Sequence, residues 1–485
     1  MSLRDAIRRM PGRSRVLLCA ALALAAVAGG CSGDSGGGAA RMPNVIFVLA
    51  DDLGYGDLGS YGNPEIATPN LDQMAREGAR FTQFYVGASV CTPSRAALLT
   101  GRYPIRAEID PRGVFFPDSR NGLDPAELTI AEVLRDRGYA TALIGKWHLG
   151  HLPEYLPTRQ GFDVFYGLPY SNDMNEPQYP GEPVPVRPCD SLIPPCRPGV
   201  PLMDGEAIVE MPAIQESLTR RYTERAIDFL RESVASDRPF FLYYANHAPH
   251  TPLYASDSFF GSSPGGLYGD VVSELDWSVG ELLRETRDLG VEDDTLVVFS
   301  SDNGPWLLWA TDAPVVQGGT DSGTAAPLRN GKSTTFEGGM RVPLIARWPA
   351  GIPAGQTITA PAAMIDWLPT LAGLAGASLP AGRAIDGKDI APLLEARGPR
   401  DEEEFRFLYY RQDNTGLGAY REGRWKLKLA VQGGESIYSR YDHGDLLFDL
   451  EADPSETTDL AAERPEKVAE LKLHMEELAS SVESP

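Results

Sequence analysis

The sequence predicts an α/β protein with a large mixed, mostly parallel sheet flanked by helices, then a smaller antiparallel sheet with a terminal helix. Three observations predict it. Short runs rich in Val, Ile, Leu and aromatics alternate with amphipathic stretches from about residue 43 to residue 395. A charged segment, "EARGPRDEEEF", then interrupts the pattern, and the strand-like pieces beyond it are brief and close together. The chain of 485 residues, 42% hydrophobic and 23% charged, has enough apolar material for a large core and two domains.

In chain order, the N-terminus reads as an address. Arg4, Arg8, Arg9, Arg13 and Arg15 precede "VLLCAALALAAVAGG", a run too short and too rich in small residues to span a membrane. It ends in "AGGC", which resembles the lipobox of bacterial lipoproteins. Residues 1–30 are therefore expected to be a signal peptide, Cys31 the lipidated first residue of the mature chain, and residues 31–42 a flexible tether. The alternative is an ordinary cleaved signal with Cys31 incidental. Either reading exports the protein, to a bacterial periplasm or cell surface, and under the first the lipid is its one membrane contact.

The runs "NVIFVLA", "YATALIG", "PFFLYYA", "TLVVFSS" and "VPLIARW" read as parallel strands buried on both faces, because they are continuously apolar rather than alternating. Helices are expected in "TPNLDQMAREGA", "TIAEVLRDRG", "SLTRRYTERAIDFLRESV" and "YGDVVSELDWSVGELLRETRDLG". These make residues 43–395 a doubly wound catalytic domain. Residues 396–485 form a smaller α+β subdomain from "FRFLYYR", "AYREGRWKLKLA", "DLLFDLEADP" and the amphipathic "PEKVAELKLHMEELASSV".

The formal net charge of -23 argues against nucleic acid as a partner, since phosphate binding requires clustered Lys and Arg that release counterions. An anionic substrate is compatible with it if cations gather in one cleft. Beyond the signal and tether, the folded part holds only Cys91, Cys189 and Cys196. Cys189 and Cys196 flank "DSLIPP" and are expected to close a small disulfide in an oxidising compartment, which leaves Cys91 as a lone thiol in an exported protein.

In open α/β sheets ligands sit beyond the carboxyl ends of the strands, and here those ends are strongly polar. "NVIFVLA" leads into Asp51 and Asp52, "YATALIG" into Lys146 and His148, "PFFLYYA" into His247 and His250, and "TLVVFSS" into Asp302 and Asn303. Either acidic pair alone is common turn chemistry. Together, opposite Arg95, Lys146, His148, His250 and Lys332, the four oxygen donors suit Ca²⁺ or Mg²⁺ and not zinc. In "KWH", continued strand geometry would point Lys146 and His148 to one side. His148 and His250 are expected to act on substrate, and His151 and His247 to be structural or supporting.

Cys91 stands just ahead of Pro93 and of "SRAALLTG", a short helix stopped by Gly101. A helix N-terminus lowers a thiol's pKa, but nearby acidic residues oppose a thiolate. A plain cysteine suits this site poorly.

The motif "CTPSR", followed by "AALLTGRYP", resembles the signature of the formylglycine-dependent (type I) sulfatases of the alkaline phosphatase superfamily. The resemblance continues through "LADDLGYGDLGSYG", "GKWHLG", "GFDVFYGLPYSND", "SDNGP", "GKSTTFEGGMRVP" and "LLFDLEADPSE", and its spacing is nearest to the arylsulfatase A and N-acetylgalactosamine-6-sulfatase branch. It implies that a maturation enzyme oxidises Cys91 to formylglycine (3-oxoalanine), whose hydrate attacks sulfur with one hydroxyl, displaces the alcohol, and expels sulfate through the other. It further implies that Asp51, Asp52, Asp302, Asn303 and the modified Cys91 hold calcium, with Mg²⁺ second. Arg95 would hold the diol, Lys146 the sulfate, and His148 would take the diol's proton. His250 and Lys332 would serve the leaving oxygen. Ser171 matches a substrate-contacting position, and so does His443, although its spacing to "LLFDL" departs by about one residue.

The implied function is hydrolysis of sulfate esters, either aryl sulfates or sulfated sugars. Two rivals are a phosphonate monoester or phosphodiester hydrolase on the same scaffold, and a noncatalytic, lipid-anchored glycan-binding protein in which Cys91 stays a thiol.

Overall fold

A computed structural model describes residues 42–107, 113–174, 200–307, 322–398, 404–411, 416–430 and 444–483. Cys31, Cys189, Cys196 and His443 lie outside the described residues.

The first strand, β1 (Asn44–Ala50), shows why its sequence is apolar without alternation. Val45, Phe47 and Leu49 enter one hydrophobic core and Ile46, Val48 and Ala50 the other, on the opposite face of the sheet. The other strands are β2 (Ala79–Tyr85), β3 (Ala140–Lys146), β4 (Val164–Leu168), β5 (Leu202–Asp204), β6 (Ala207–Glu210), β7 (Phe240–Ala245), β8 (Thr295–Ser301), β9 (Arg341–Arg347), β10 (Gln356–Ile358) and β11 (Ala362–Ala363). They form an eleven-stranded sheet in the order β10-β2-β9-β8-β1-β7-β3-β4-β5-β6, with β11 also on β2.

At its centre β8, β1, β7, β3 and β4 run parallel. Their carboxyl ends therefore open on one edge of the sheet. "VPLIARW" departs from the all-parallel expectation. As β9 it pairs antiparallel with both β8 and β2. Its apolar run reports burial on two faces, which strands of either direction share.

The helices longer than four residues are α1 (Pro69–Glu77), α2 (Cys91–Thr100), α3 (Ile130–Asp136), α4 (Leu218–Ala235), α5 (Gly266–Asp288), α6 (Trp367–Leu374) and, near the C-terminus, α7 (Pro465–Glu483). α3 begins with a reciprocal cap between Thr129 and Glu132. α1 has no such side-chain cap at Thr68. Its first turn is capped from α5 instead: Asp276 accepts from the Leu71 amide at 2.8 Å and the Asn70 amide at 3.2 Å.

A second, antiparallel sheet joins β12 (Arg406–Tyr410), β13 (Leu417–Glu422), β14 (Trp425–Lys428) and β15 (Leu446–Asp449) in sequence order. α7 buries Leu471, Met475, Ala479 and Val482, a stripe at helical spacing, in the core that also holds Phe47, Phe407 and Tyr420. Tyr85 of β2 packs its ring against Phe405, Phe407 and Tyr409, with centroids 5.9 to 6.0 Å apart. One core thus serves both sheets.

Candidate active site

The four loops after β1, β3, β7 and β8 are neighbours because those strands are adjacent in the sheet. Together with Lys146 at the end of β3, they deliver Asp51, Asp52, His148, His247, His250, Asp302 and Asn303 to one place, and all are buried. α2 brings Cys91 as its first residue and Arg95 one turn later, and the loop before β9 adds Lys332.

Three carboxylates face three cations. Lys146 Nζ donates to Asp51 Oδ2 at 2.6 Å and to Ser171 Oγ at 3.1 Å. Lys332 Nζ donates to Asp52 Oδ1 at 2.6 Å and lies 3.3 Å from Cys91 Sγ. Arg95 forks onto Asp302 Oδ2 through Nε at 2.9 Å and Nη2 at 2.8 Å, and its Nη1 donates to the Lys146 carbonyl at 2.7 Å. Burial penalises the Asp51 carboxylate, but Lys146, then His250, Arg95 and Lys332, outweigh it and hold that carboxyl well below its usual range. Asp302 goes the other way. Burial, then the nearby Asp51 charge, push it up to about 7 despite Arg95.

Cys91 is the lone free cysteine among the described residues. Despite its place at the start of α2, its thiol is pushed up to about 12 by burial, which Lys146 and Lys332 only partly offset. An unmodified Cys91 is therefore a protonated thiol at neutral pH and no nucleophile.

His148 departs from the strand geometry expected of "KWH". β3 ends at Lys146, and His148 takes a left-handed backbone with φ 61° while its amide donates to the Pro169 carbonyl. The turn aims the ring by another route. Nε2 donates to the Phe115 carbonyl at 3.0 Å, which leaves the buried Nδ1 as an acceptor with no partner. Burial, then Lys146 and Arg95, hold this imidazole well below its ordinary pKa, so it is neutral and its Nδ1 lone pair is open.

His250 donates from Nδ1 to the Thr251 carbonyl, and its Nε2 lies 3.4 Å from Ser171 Oγ and 3.6 Å from Asp52 Oδ2. Ser171 thus stands between Lys146 and His250. His151 and His247 pack edge-on against Tyr170 and Tyr222, each with centroids 5.8 Å apart. Burial pushes His247 down to about 4.

One atom in each of Asp51, Asp52, Cys91 and His250 lies within 4.8 Å of the others, the spacing of a metal-ligand set. Asn303 donates its amide nitrogen to Asp52 at 2.6 Å and leaves Oδ1 buried without a partner. A buried oxygen with no donor, beside this much negative charge, fits a hard divalent cation. Asp302 flanks the group through the Asp52 amide, at 3.1 Å.

Two supports were not read from the sequence. Thr92, inside the motif, donates to the His148 carbonyl at 2.9 Å and accepts from the Phe115 amide at 3.2 Å, tying α2 to the histidine. Gly304 packs backbone to backbone on the segment after Lys332. A Cβ there would lie 1.8 Å from the Gly338 carbonyl oxygen. "NG" beside "GG" is the signal that could have revealed it.

The fold and this site together define a hydrolase of anionic esters: an acidic cluster for a dication, a ring of fixed cations, and a special side chain at a helix start. The particular family follows from comparison. The family described as Sulfatase matches residues 43–377, and that described as N-sulphoglucosamine sulphohydrolase, C-terminal, matches residues 330–482. The chain is 43% identical over 458 residues to arylsulfatase A of Homo sapiens, covering 89% of this chain and 87% of that one. It is 40% identical over 406 residues to N-acetylgalactosamine-6-sulfatase of Canis lupus familiaris, covering 80% and 73%. Among solved structures, a Bacteroides thetaiotaomicron protein from a locus for metabolism of multiple glycosaminoglycans aligns with a TM-score of 0.77 at 29% identity, over 91% of this chain and 100% of that one. The chain belongs to the sulfatase family and is a sulfuric ester hydrolase. The phosphonate monoester hydrolase of Agrobacterium radiobacter, at 20% identity and a TM-score of 0.60 over 91% of this chain and 96% of that one, shares the fold alone.

Proposed function

We propose that the protein is an exported, formylglycine-dependent sulfatase that uses Ca²⁺ and acts on sulfated sugars, with aryl sulfates as test substrates. The observation that carries this reading is the burial of Cys91 among Asp51, Asp52, Lys146 and Lys332, where a thiol has no use. Formylglycine at this position supplies a hydrated aldehyde that can both accept a sulfuryl group and let it go. A bound dication supplies stabilisation of developing negative charge that exceeds what one side chain can give. Asp51, Asp52, Asp302 and Asn303 would hold it.

Around these groups the chain's own residues divide the work. Lys146 and Ser171 bind the sulfate oxygens, and Arg95, braced by Asp302, orients residue 91. His148 takes a proton at Nδ1, while His250 and Lys332 stabilise the departing alcohol oxygen. The relatives named for sulfated amino sugars and glycosaminoglycans support a sugar substrate. The Arg-rich N-terminus and "AGGC" support export, with Cys31 as a lipid anchor and a Cys189–Cys196 disulfide in the mature protein. Among the described residues, no helix is long and apolar enough to cross a membrane.

The test is a mass measurement of the peptide spanning Cys91 from active protein, paired with assays of sulfate esters against phosphodiesters. An aldehyde at residue 91 and a preference for sulfate esters are expected. A free thiol in fully active enzyme would overturn the reading, and so would a preference for phosphodiesters.

A further inference from the structure

The segment carrying Lys332 is fastened on both sides by one residue of the C-terminal subdomain. Glu456 Oε2 accepts from the Glu337 amide at 2.7 Å, and the Glu456 carbonyl accepts from Arg329 Nη1 at 2.8 Å. The Gly338 amide closes back on the Arg329 carbonyl at 2.8 Å. Lys426 of β14 sits between the two acids, 2.9 Å from Glu337 Oε1 and 2.8 Å from Glu456 Oε1, and all three side chains are fully enclosed. From this frame Lys332 reaches the site, its amide pinned to the Pro305 carbonyl and the next amide, of Ser333, to the Ser89 carbonyl, both at 2.9 Å.

Two features of this frame exceed what packing requires. Buried ion networks add little stability over apolar residues of similar volume, yet one is kept here. Asn330, Ser333 and Glu456 all hold left-handed backbones without being glycine, with φ 59°, 71° and 52°, a strain that gathers where geometry serves function. Lysine has a long flexible stem, so its ammonium is only as well placed as the backbone that carries it. We propose that Glu456, held by Lys426, is a positioning residue of the reaction, fixing the reach of Lys332 toward the leaving oxygen from outside the catalytic sheet.

This rests on the assignment of Lys332 to the leaving oxygen, and the experiment separates the two. Turnover of a series of aryl sulfates spanning leaving-group acidity is measured for the full-length enzyme, normalised to aldehyde content. The variants are Lys332→Ala, Glu456→Gln and their double, with Leu447→Ala as a control that loosens the same small sheet through its buried core. Glu456→Gln is expected to lower kcat about 10- to 100-fold on the poorest leaving groups and far less on the best, steepening the dependence as Lys332→Ala does. The double variant should be no worse than Lys332→Ala alone, and Leu447→Ala should lower Tm without changing the slope. A steepened slope in Lys332→Ala with an unchanged slope in Glu456→Gln overturns the positioning role alone. An unchanged slope in Lys332→Ala overturns the assignment of Lys332, and the inference with it.

Discussion

At the scale of single residues, the site is a balance of buried charges, and each member is held by its opposite. Removing one partner leaves the other desolvated and alone, which costs about 3–5 kcal/mol in buried pairs. Lys146→Ala removes the nearest cation of Asp51 but leaves Arg95 at 3.5 Å, so it is expected to lower folding stability by less than that full amount in denaturant titrations, besides abolishing turnover. Asp302 makes a pH prediction. Its carboxyl is pushed up to about 7 by burial and by Asp51, so below that pH a proton occupies the oxygen a cation needs. Metal affinity should weaken as pH falls through 7, by about tenfold per pH unit for one displaced proton, measured by competition with a chelating dye. Cys91→Ser should lose activity by a factor on the order of 10³ or more under multiple turnover, because an alcohol can accept the sulfuryl group without releasing it. A single burst of alcohol release would accompany the loss.

At the scale of elements, α1 depends on its neighbour for its cap. Asp276→Ala leaves two first-turn amides unpaired and should cost about 1–3 kcal/mol in chemical denaturation. Burial raises the Asp276 carboxyl from 3.8 to about 6, so the folded state holds its proton more tightly than the unfolded chain. This group's contribution is greatest below pH 4 and is lost as pH rises through 6. Asp276→Asn should flatten that part of the Tm profile. The strands flanking the site were legible because a strand buried on two faces must be continuously apolar, and their polar ends marked the active edge. β2 was not, since "ARFTQFY" mixes Thr82 and Gln83 into its run. Direction was not legible either, as β9 shows. The candidate site residues stood out by their chemistry, whereas Thr92 and Glu456 act on backbone groups distant in sequence, which residue type does not advertise.

At the scale of the whole molecule, the two sheets share a core, so the C-terminal subdomain is part of the frame on which the site is built. A dication that binds only the folded state adds stability by mass action, about 2.7 kcal/mol when free metal is 100-fold above its Kd. Chelation should therefore lower Tm and restoring calcium should raise it again, read by calorimetry, and an unmoved Tm would argue against the acidic cluster as the metal's seat. The seclusion of residue 91 has a temporal consequence. Only 2% of Cys91 is exposed, so no second enzyme can close its own catalytic cleft around it in the finished protein. On the proposed reading, oxidation of that side chain would have to precede assembly of the central strands. Material folded without the oxidising enzyme should stay permanently inert, and adding that enzyme afterwards should rescue it only if it is first unfolded.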